Sequence, residues 1–349
     1  MSNKMILAGD IGGTKSYLGL FKMEEGKVRP ITEIKEYPSS SYPSLTALVQ
    51  DFLRSLDESS LRKDEKFIGK ACFGMAGPVE KDTDGKCCKM THPEKWPIVK
   101  ESELNQILNG KPVILLNDLE AMGYGISQLS DGDLVELNRG TPQEGNRAVI
   151  AAGTGLGQVM LYWDGKEHHP SSSEGGHANF SPSYDNNNLQ RKLLRYLHKK
   201  FKGNVGVERV LSGEGLVNIY EFLKERGKDG NEPAHFKERL SKNDPAQVIS
   251  QLAKENPLCS KALDVFMAIY GATAGDLALQ YLAVGGVYIG GGIAPKNLDK
   301  LRDGTFMQAF TAKEKKYPHF EKLNANIPVK VITNPQVGLL GAAWRGAKK

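Results

Sequence analysis

Met5-Ile6-Leu7-Ala8-Gly9-Asp10-Ile11-Gly12-Gly13-Thr14-Lys15-Ser16-Tyr17-Leu18-Gly19-Leu20-Phe21 opens the chain and decides how the rest is read. Two apolar runs, Met5–Leu7 and Tyr17–Phe21, flank a glycine-rich turn, Asp10–Thr14. Strand, turn, strand is the simplest reading of that order. A glycine turn lets backbone N–H groups approach a phosphate, because no Cβ stands in the way and φ > 0 is accessible. Successive amides then make an anion-binding concavity. A plain hairpin would leave Asp10 unexplained. A carboxylate beside a phosphate cradle suits Mg2+, which binds through one or two carboxylates together with phosphate oxygens and water. Thr14 adds a hydroxyl and Lys15 a point charge. The spacing matches neither G-x-x-x-x-G-K-S/T nor G-x-G-x-x-G, so a tight structural hairpin stays open as the alternative.

The pattern recurs further along. Arg147–Ala152 is a strand candidate ending in Gly153-Thr154-Gly155-Leu156-Gly157, and Val159–Tyr162 is its partner. Val287–Ile289 precedes Gly290-Gly291-Gly292. Further strands are expected over Val28–Tyr37, Phe67–Met75, Val113–Leu116 and Val329–Ile332. Leu45, Leu48, Val49, Phe52, Leu53 and Leu56 carry helical spacing, with one apolar face for a core. Leu189–Phe201, Ala246–Glu255, Lys261–Leu282 and Gly338–Arg345 also read as helices, and Lys313-Glu314-Lys315-Lys316 as a solvated helix face. Two glycine-turn hairpins, each opening an α/β block, point to a loosely duplicated architecture.

The 349 residues suggest two domains. With 40% hydrophobic and 25% charged residues, the composition excludes collagen, wholesale disorder and a coiled-coil rod. The net charge of +5 is spread along the chain without an arginine cluster interleaved with aromatics, so nucleic acid is not expected as a partner. Cys72, Cys87, Cys88 and Cys259 lack both a disulfide framework and C-x-x-C spacing, and are expected to be plain thiols in a reducing cytosol. No charged n-region with an apolar h-region opens the chain, so no secretory signal is expected and the location is read as cytoplasmic. The uncharged stretch Leu277–Pro295 is broken by Gly285, Gly286, Gly290, Gly291 and Gly292, and no membrane span is expected there.

Asp10-Ile11-Gly12-Gly13-Thr14-Lys15 resembles the first phosphate loop of sugar kinases in the superfamily that joins actin, hexokinase and the heat-shock chaperone ATPases. Ala152–Gly157 stands where that superfamily keeps its second phosphate loop, and Gly285–Ile293 resembles its adenosine motif. Leu116-Asn117-Asp118 resembles its catalytic Asn-Asp. Ser173-Glu174-Gly175-Gly176-His177 and Glu208-Arg209-Val210-Leu211-Ser212-Gly213 are similar to the sugar-binding segments of bacterial-type glucokinase. The resemblance runs from about Met5 to Gly346. It implies an α/β protein with the two-domain actin-like ATPase (ribonuclease H-like) fold and a central crevice. The small domain is expected to comprise residues 1–116 plus 333–349, and the large domain residues 117–332.

The resemblance implies a glucokinase: transfer of the γ-phosphoryl of ATP to the 6-hydroxyl of D-glucose, at the entry to glycolysis, by a homodimer. Asp118 is implied as the base. Asn117, Asp118, Glu174, His177 and Glu208 are implied to bind glucose. Asp10, Gly12, Gly13, Thr14, Lys15, Gly153, Thr154, Gly155, Gly291 and Gly292 are implied to bind ATP, with Asp10 positioning Mg2+ through water. Lys15 stands where many such glucokinases have Asn, although the related repressor/kinase (ROK) group often has Lys. After His177 come Ala178-Asn179-Phe180-Ser181-Pro182, with no cysteine, so the zinc segment of that group is not expected. A winged-helix repressor segment is not expected either, because the phosphate loop begins at Asp10. Taken without the resemblance, Glu174 and His177 read more readily as a surface loop, and Glu208 with Arg209 as a surface ion pair. The alternatives are a kinase for mannose or glucosamine, a non-catalytic sugar sensor on the same fold, and an actin-like or chaperone-type ATPase that needs no sugar.

Overall fold

The structure is a computed structural model and describes residues 5–56, 68–90, 96–185, 187–233, 235–240 and 242–348. The chain divides into two compact units. The first gathers Met1–Asp133, His169–Ser172 and Asn334–Lys349; the second gathers Leu134–His168 and Ser173–Thr333.

In the first unit the strands are β1 (Met5–Ile11), β2 (Lys15–Glu24), β3 (Lys27–Pro30), β4 (Lys35–Pro38), β5 (Ile68–Met75), β6 (Val79–Asp82), β7 (Gly85–Cys88), β8 (Val99–Lys100) and β9 (Val113–Asn117). The main sheet runs β3-β2-β1-β5-β9, with β4 also on β2. β1 is antiparallel to β2 and parallel to β5, and β5 is parallel to β9. The two-residue alternation of a strand explains how this sheet is covered. Leu7 and Ile11 face one core with Leu45, Leu48, Val49 and Phe52 of the helix Leu45–Ser55. Ile6 and Ala8 face another, with Leu339, Ala342 and Ala343 of the C-terminal helix Val337–Ala347. The first of these helices starts where Ser44 accepts the Ala47 N–H, and Phe52 is fully buried. Truncating Phe52 to Ala would cost about 3–5 kcal/mol.

Two local readings are corrected here. β1 continues through Asp10, which pairs with Tyr17, so the turn contracts to Gly12–Thr14. The strand expected over Val28–Tyr37 is split: Ile31 N–H donates to Leu20 O at 2.8 Å, then the Thr32 hydroxyl accepts from Leu20 N–H at 3.1 Å, and pairing resumes only at Lys35. The strand expected from Phe67 is seen from Ile68, Phe67 lying outside the described residues. A small sheet, β6-β7-β8, is additional to the expected elements.

In the second unit the strands are β10 (Leu134–Asn138), β11 (Arg147–Ala152), β12 (Leu156–Trp163), β14 (Gly286–Gly290) and β15 (Val329–Ile332), while His169–Ser172 of β13 (His168–Ser173) belong to the first unit. The five lie in the order β10-β15-β14-β11-β12. β11 is antiparallel to β12 and parallel to β14, and β14 is parallel to β15. This repeats the β2-β1-β5-β9 arrangement, so the duplication suspected from two glycine turns is a duplication of sheet topology. The helix Pro257–Gln280 starts at Asn256, which accepts the Cys259 N–H, and carries Pro257 in its first turn, as a helix start favours. It is long and apolar enough to cross a membrane by length and composition, but 72% of its most apolar window is buried within the protein. Leu258, Leu263, Phe266 and Ile269 place it in the core of this unit. Lys313–Lys316 does not form a helix face. The helix Thr305–Thr311 stops before it, and Lys313, its side chain only 8% exposed, reaches Asp276 at 2.8 Å.

Candidate functional site

In the first unit the candidate residues collect at the carboxyl ends of three parallel strands, where open α/β sheets place ligands. Asp10, Gly74 and Leu116 are cross-strand partners on β1, β5 and β9; one step on, so are Ile11, Met75 and Asn117. Asn117 ends β9 and caps the helix Asp118–Gly125. Its Oδ1 accepts the Leu119 N–H at 3.0 Å, and its Nδ2 donates to Gly77 O at 3.2 Å. Both ends of the amide are therefore fixed. Asp118 is the first residue of that helix, where a negative charge is favoured, and its Oδ1 accepts the Leu119 N–H at 2.9 Å.

Asp10 and Asp118 sense each other. Burial, with the negative charge of Asp118 second, pushes the Asp10 carboxyl up to about 7. A buried carboxyl whose proton affinity is raised by burial and by a neighbouring carboxylate fits a divalent cation, whose positive charge would favour its ionised form. Mg2+ needs only one or two protein carboxylates when phosphate oxygens and water complete its shell. Among the described residues no group of three or more His, Cys, Asp or Glu is placed to hold a metal ion.

The turn Gly12–Thr14 beside Asp10 closes through Gly12 N–H to Lys15 O at 3.0 Å. Lys15 is engaged from the side: its ammonium meets Glu36 at 2.7 Å, and the Tyr17 hydroxyl donates to the other oxygen of Glu36 at 2.9 Å.

The second unit brings two further glycine segments together. The turn Gly153–Gly155 joins β11 to β12, with Gly153 N–H donating to Gly155 O at 2.9 Å and Gly213 N–H to Gly153 O at 2.8 Å. Leu156 and Gly157, expected in the turn, already belong to β12. Gly291 follows β14 with φ +79°, and a Cβ there would fall 2.2 Å from Ala152 O, so only glycine lets this segment close on the end of β11. Gly292 N is 3.9 Å from where a Cβ on Gly153 would stand. Beneath both, the buried Tyr270 hydroxyl accepts from Ala152 N–H and lies 3.3 Å from Ile150 O and Gly290 O. Sequence reading took Tyr270 only as part of a helix; nothing in its spacing marked it as a brace for two strand ends.

Glu174 and His177 flank a single helical turn, exposed by 73% and 68%, with Oε2 and Nε2 3.9 Å apart. The chain after them is tied to the Glu208 segment by Val207 N–H to Ala178 O at 2.8 Å and by the bridge between Asn179 and Gly206. Glu208 is not paired with Arg209, which grips Glu214 through two contacts of 2.7 and 2.6 Å. Its Oε2 instead accepts the Leu156 N–H at 2.8 Å, immediately after the glycine turn. Glu174, His177, Glu208 and Gly155 thus share one neighbourhood. The four cysteines are free thiols. Burial pushes Cys72 and Cys88 up to about 12 and Cys259 to about 11, which leaves them unreactive.

Two antiparallel hairpins with glycine turns, each continued by two parallel strands, with an Asn-Asp pair at the end of one sheet, define a sugar kinase of the actin-like ATPase fold. The solved glucokinase from an Antarctic psychrotroph superposes with a TM-score of 0.80 at 29% identity, covering 98% of each chain. A ROK family glucokinase from Streptomyces griseus, solved in complex with glucose and AMPPNP, shares the fold at a TM-score of 0.62 and 18% identity, covering 98% of this chain and 99% of that one. Among curated proteins, the glucokinase of Nostoc punctiforme is 38% identical over 358 residues, 99% of both chains. The Glucokinase family model matches residues 7–349, and the chain belongs to that family.

Proposed function

We propose that this chain transfers the γ-phosphoryl of ATP to the 6-hydroxyl of D-glucose, giving glucose 6-phosphate. One observation carries the reading: Asn117-Asp118 stands at the end of β9, electrostatically coupled to Asp10 beside the Gly12–Thr14 turn. A hydroxyl-activating carboxylate beside a phosphate cradle is what phosphoryl transfer to an alcohol requires. The family match over residues 7–349 supports it, as does the relative solved with glucose and AMPPNP.

In this mechanism the Gly12–Thr14 and Gly153–Gly155 turns hold the phosphates, through amides other than those of Gly12 and Gly153, which bond within their own turns, and Gly291-Gly292 lies along the adenosine. Lys15 is held by Glu36 and would have to exchange that partner to reach a phosphate. Asp10 would hold Mg2+, which when bound would supply positive charge against the transferring phosphoryl group. Asn117, fixed at both ends, orients the sugar; Glu174, His177 and Glu208 accept from or donate to its hydroxyls. Asp118 takes the proton of the 6-hydroxyl as the new P–O bond forms and the bond from the γ-phosphorus to the bridging oxygen breaks, with ADP as the leaving group. Positioning supplies most of the acceleration, and general-base assistance adds about 10²–10⁴-fold. The reading includes the two-domain division, a homodimer and cytoplasmic residence, with no requirement for zinc.

A coupled assay over glucose, mannose and glucosamine, each with ATP, ADP and polyphosphate, tests it. Sugar phosphate should form fastest with glucose and ATP, and in the ATP arms ADP should appear only when sugar is present. ADP release indifferent to sugar would make the chain an ATPase, and no turnover with any pair would favour a sensor.

A further inference from the structure

Ser39 lies 25 residues beyond the Gly12–Thr14 turn in sequence, is fully buried, and makes three hydrogen bonds at the turn's two flanks. Its hydroxyl donates to Gly12 O at 2.7 Å, its backbone N–H donates to Thr14 O at 2.9 Å, and its Oγ lies 2.9 Å from the equally buried Oγ of Ser16. A serine hydroxyl has one proton. Since that of Ser39 goes to Gly12 O, Ser16 must be the donor between the two hydroxyls. The order is therefore Ser16 to Ser39 to Gly12, a chain in which each bond polarises the next.

The consequence for the turn follows from peptide planarity. In a trans peptide the C=O and the next residue's N–H point in opposite directions. With Gly12 O held toward Ser39, the Gly13 N–H is aimed away from it; with Thr14 O held the same way, so is the Lys15 N–H. Gly12 N–H is already spent inside the turn, on Lys15 O. Ser39 thus sets which face of the turn presents donors. We propose that Ser39, relayed by Ser16, is a positioning residue that locks the Gly12–Thr14 turn with the Gly13 amide aimed at a nucleotide phosphate. This rests on the reading of that turn as a phosphate cradle.

The test measures the dissociation constant of Mg2+·AMPPNP by calorimetry on the full chain with saturating glucose, alongside ATP KM, kcat and glucose affinity. Ser39→Ala deletes the donor; Ser39→Cys keeps the volume with a much weaker one, and serves if the alanine variant does not fold. Both should weaken Mg2+·AMPPNP by about three- to tenfold, the scale of one lost hydrogen bond, while glucose affinity stays within about twofold. Ser39→Thr, which retains the hydroxyl, should recover most of the loss. Thr14→Val, in the turn itself, separates the two levels. If Thr14→Val weakens nucleotide binding and neither Ser39 variant does, the positioning role is wrong. If none of them changes it, the turn is not a phosphate site and both readings fall. If nucleotide and glucose affinity drop together, Ser39 supports the unit as a whole and the positioning role is again wrong.

Discussion

A Cβ on Gly338 would stand 2.8 Å from Oδ2 of Asp10 and 3.1 Å from its Cγ. Gly338 is the second residue of the C-terminal helix Val337–Ala347, whose N-cap, Gln336, gives no side-chain bond. The helix thus brings its N-terminal backbone, the positive end of its dipole, against the Asp10 carboxylate.

Gly338→Ala should therefore push Asp10 out of place while leaving the sugar residues alone. A displacement of about 1 Å at a reacting site can cost about 10²-fold, so kcat should fall by about 10- to 100-fold with glucose affinity, read by calorimetry, nearly unchanged. Overpacking of this kind costs about 1–3 kcal/mol, visible as a lower Tm. A variant with wild-type kcat would show that Asp10 need not be held where it is.

The raised pKa of Asp10 has a stability consequence. In Mg2+-free buffer the folded chain keeps the Asp10 proton up to about pH 7, whereas the ordinary value is 3.8. Between those pH values the folded state binds more protons than the unfolded one, so stability falls as pH rises and levels off above about 7. Asp10→Asn removes the charge that burial disfavours. Its Tm should match the parent near pH 4 and exceed it at pH 8, the difference being at most about 4 kcal/mol at about 1.4 kcal/mol per pKa unit. Activity should be lost. Thermal melts at the two pH values check this, and equal Tm at pH 8 would contradict it.

Gly155 and Glu208 are linked in the same way in the second unit. A Cβ on Gly155 would lie 2.6 Å from the Glu208 Oε2 that accepts the Leu156 N–H. Because the obstacle is the end of a flexible side chain, Gly155→Ala should fold with a Tm close to the parent. Glu208 must then move, and the KM for glucose should rise by about 10-fold or more, the scale of a lost charge-assisted bond. Steady-state kinetics at saturating ATP read it out; an unchanged glucose KM would detach Glu208 from the sugar.

Much of this was legible in the residue pattern. Leu189–Phe201, Arg147–Ala152 and Val329–Ile332 form as read, because long amphipathic or apolar runs are bounded by strong breakers. The errors have local causes. Gly9 weakens β1 as a sequence signal, yet Phe73 and Leu18 close on its bare Cα, so the strand continues through Asp10. The hairpin β6–β7 carries few apolar residues; its legible mark was Asp84-Gly85, with Gly85 at φ +124°. Lys313–Lys316 reads as a solvated face, but burial of Lys313 against Asp276 is a tertiary event. The chemistry-bearing residues were visible as motifs. Their supports were not: Ser39 sits in a serine run that reads as loop, Gly338 in a run that reads as ordinary helix, and Tyr270 among core aromatics. Each acts through a partner more than 20 positions away in the chain, which no local pattern encodes.

The central claim is that Asp118 takes the proton of the sugar hydroxyl. Asp118→Asn keeps nearly the same shape and can still bond the sugar, but cannot accept that proton. The direct measurement is kcat of this variant at saturating glucose and Mg2+·ATP, with glucose affinity determined by calorimetry on the same sample. kcat and kcat/KM should fall together by about 10²–10⁴-fold, with glucose affinity within a few-fold of the parent. A variant retaining more than about a tenth of the parent kcat, above what loss of a general base allows, would contradict the assignment.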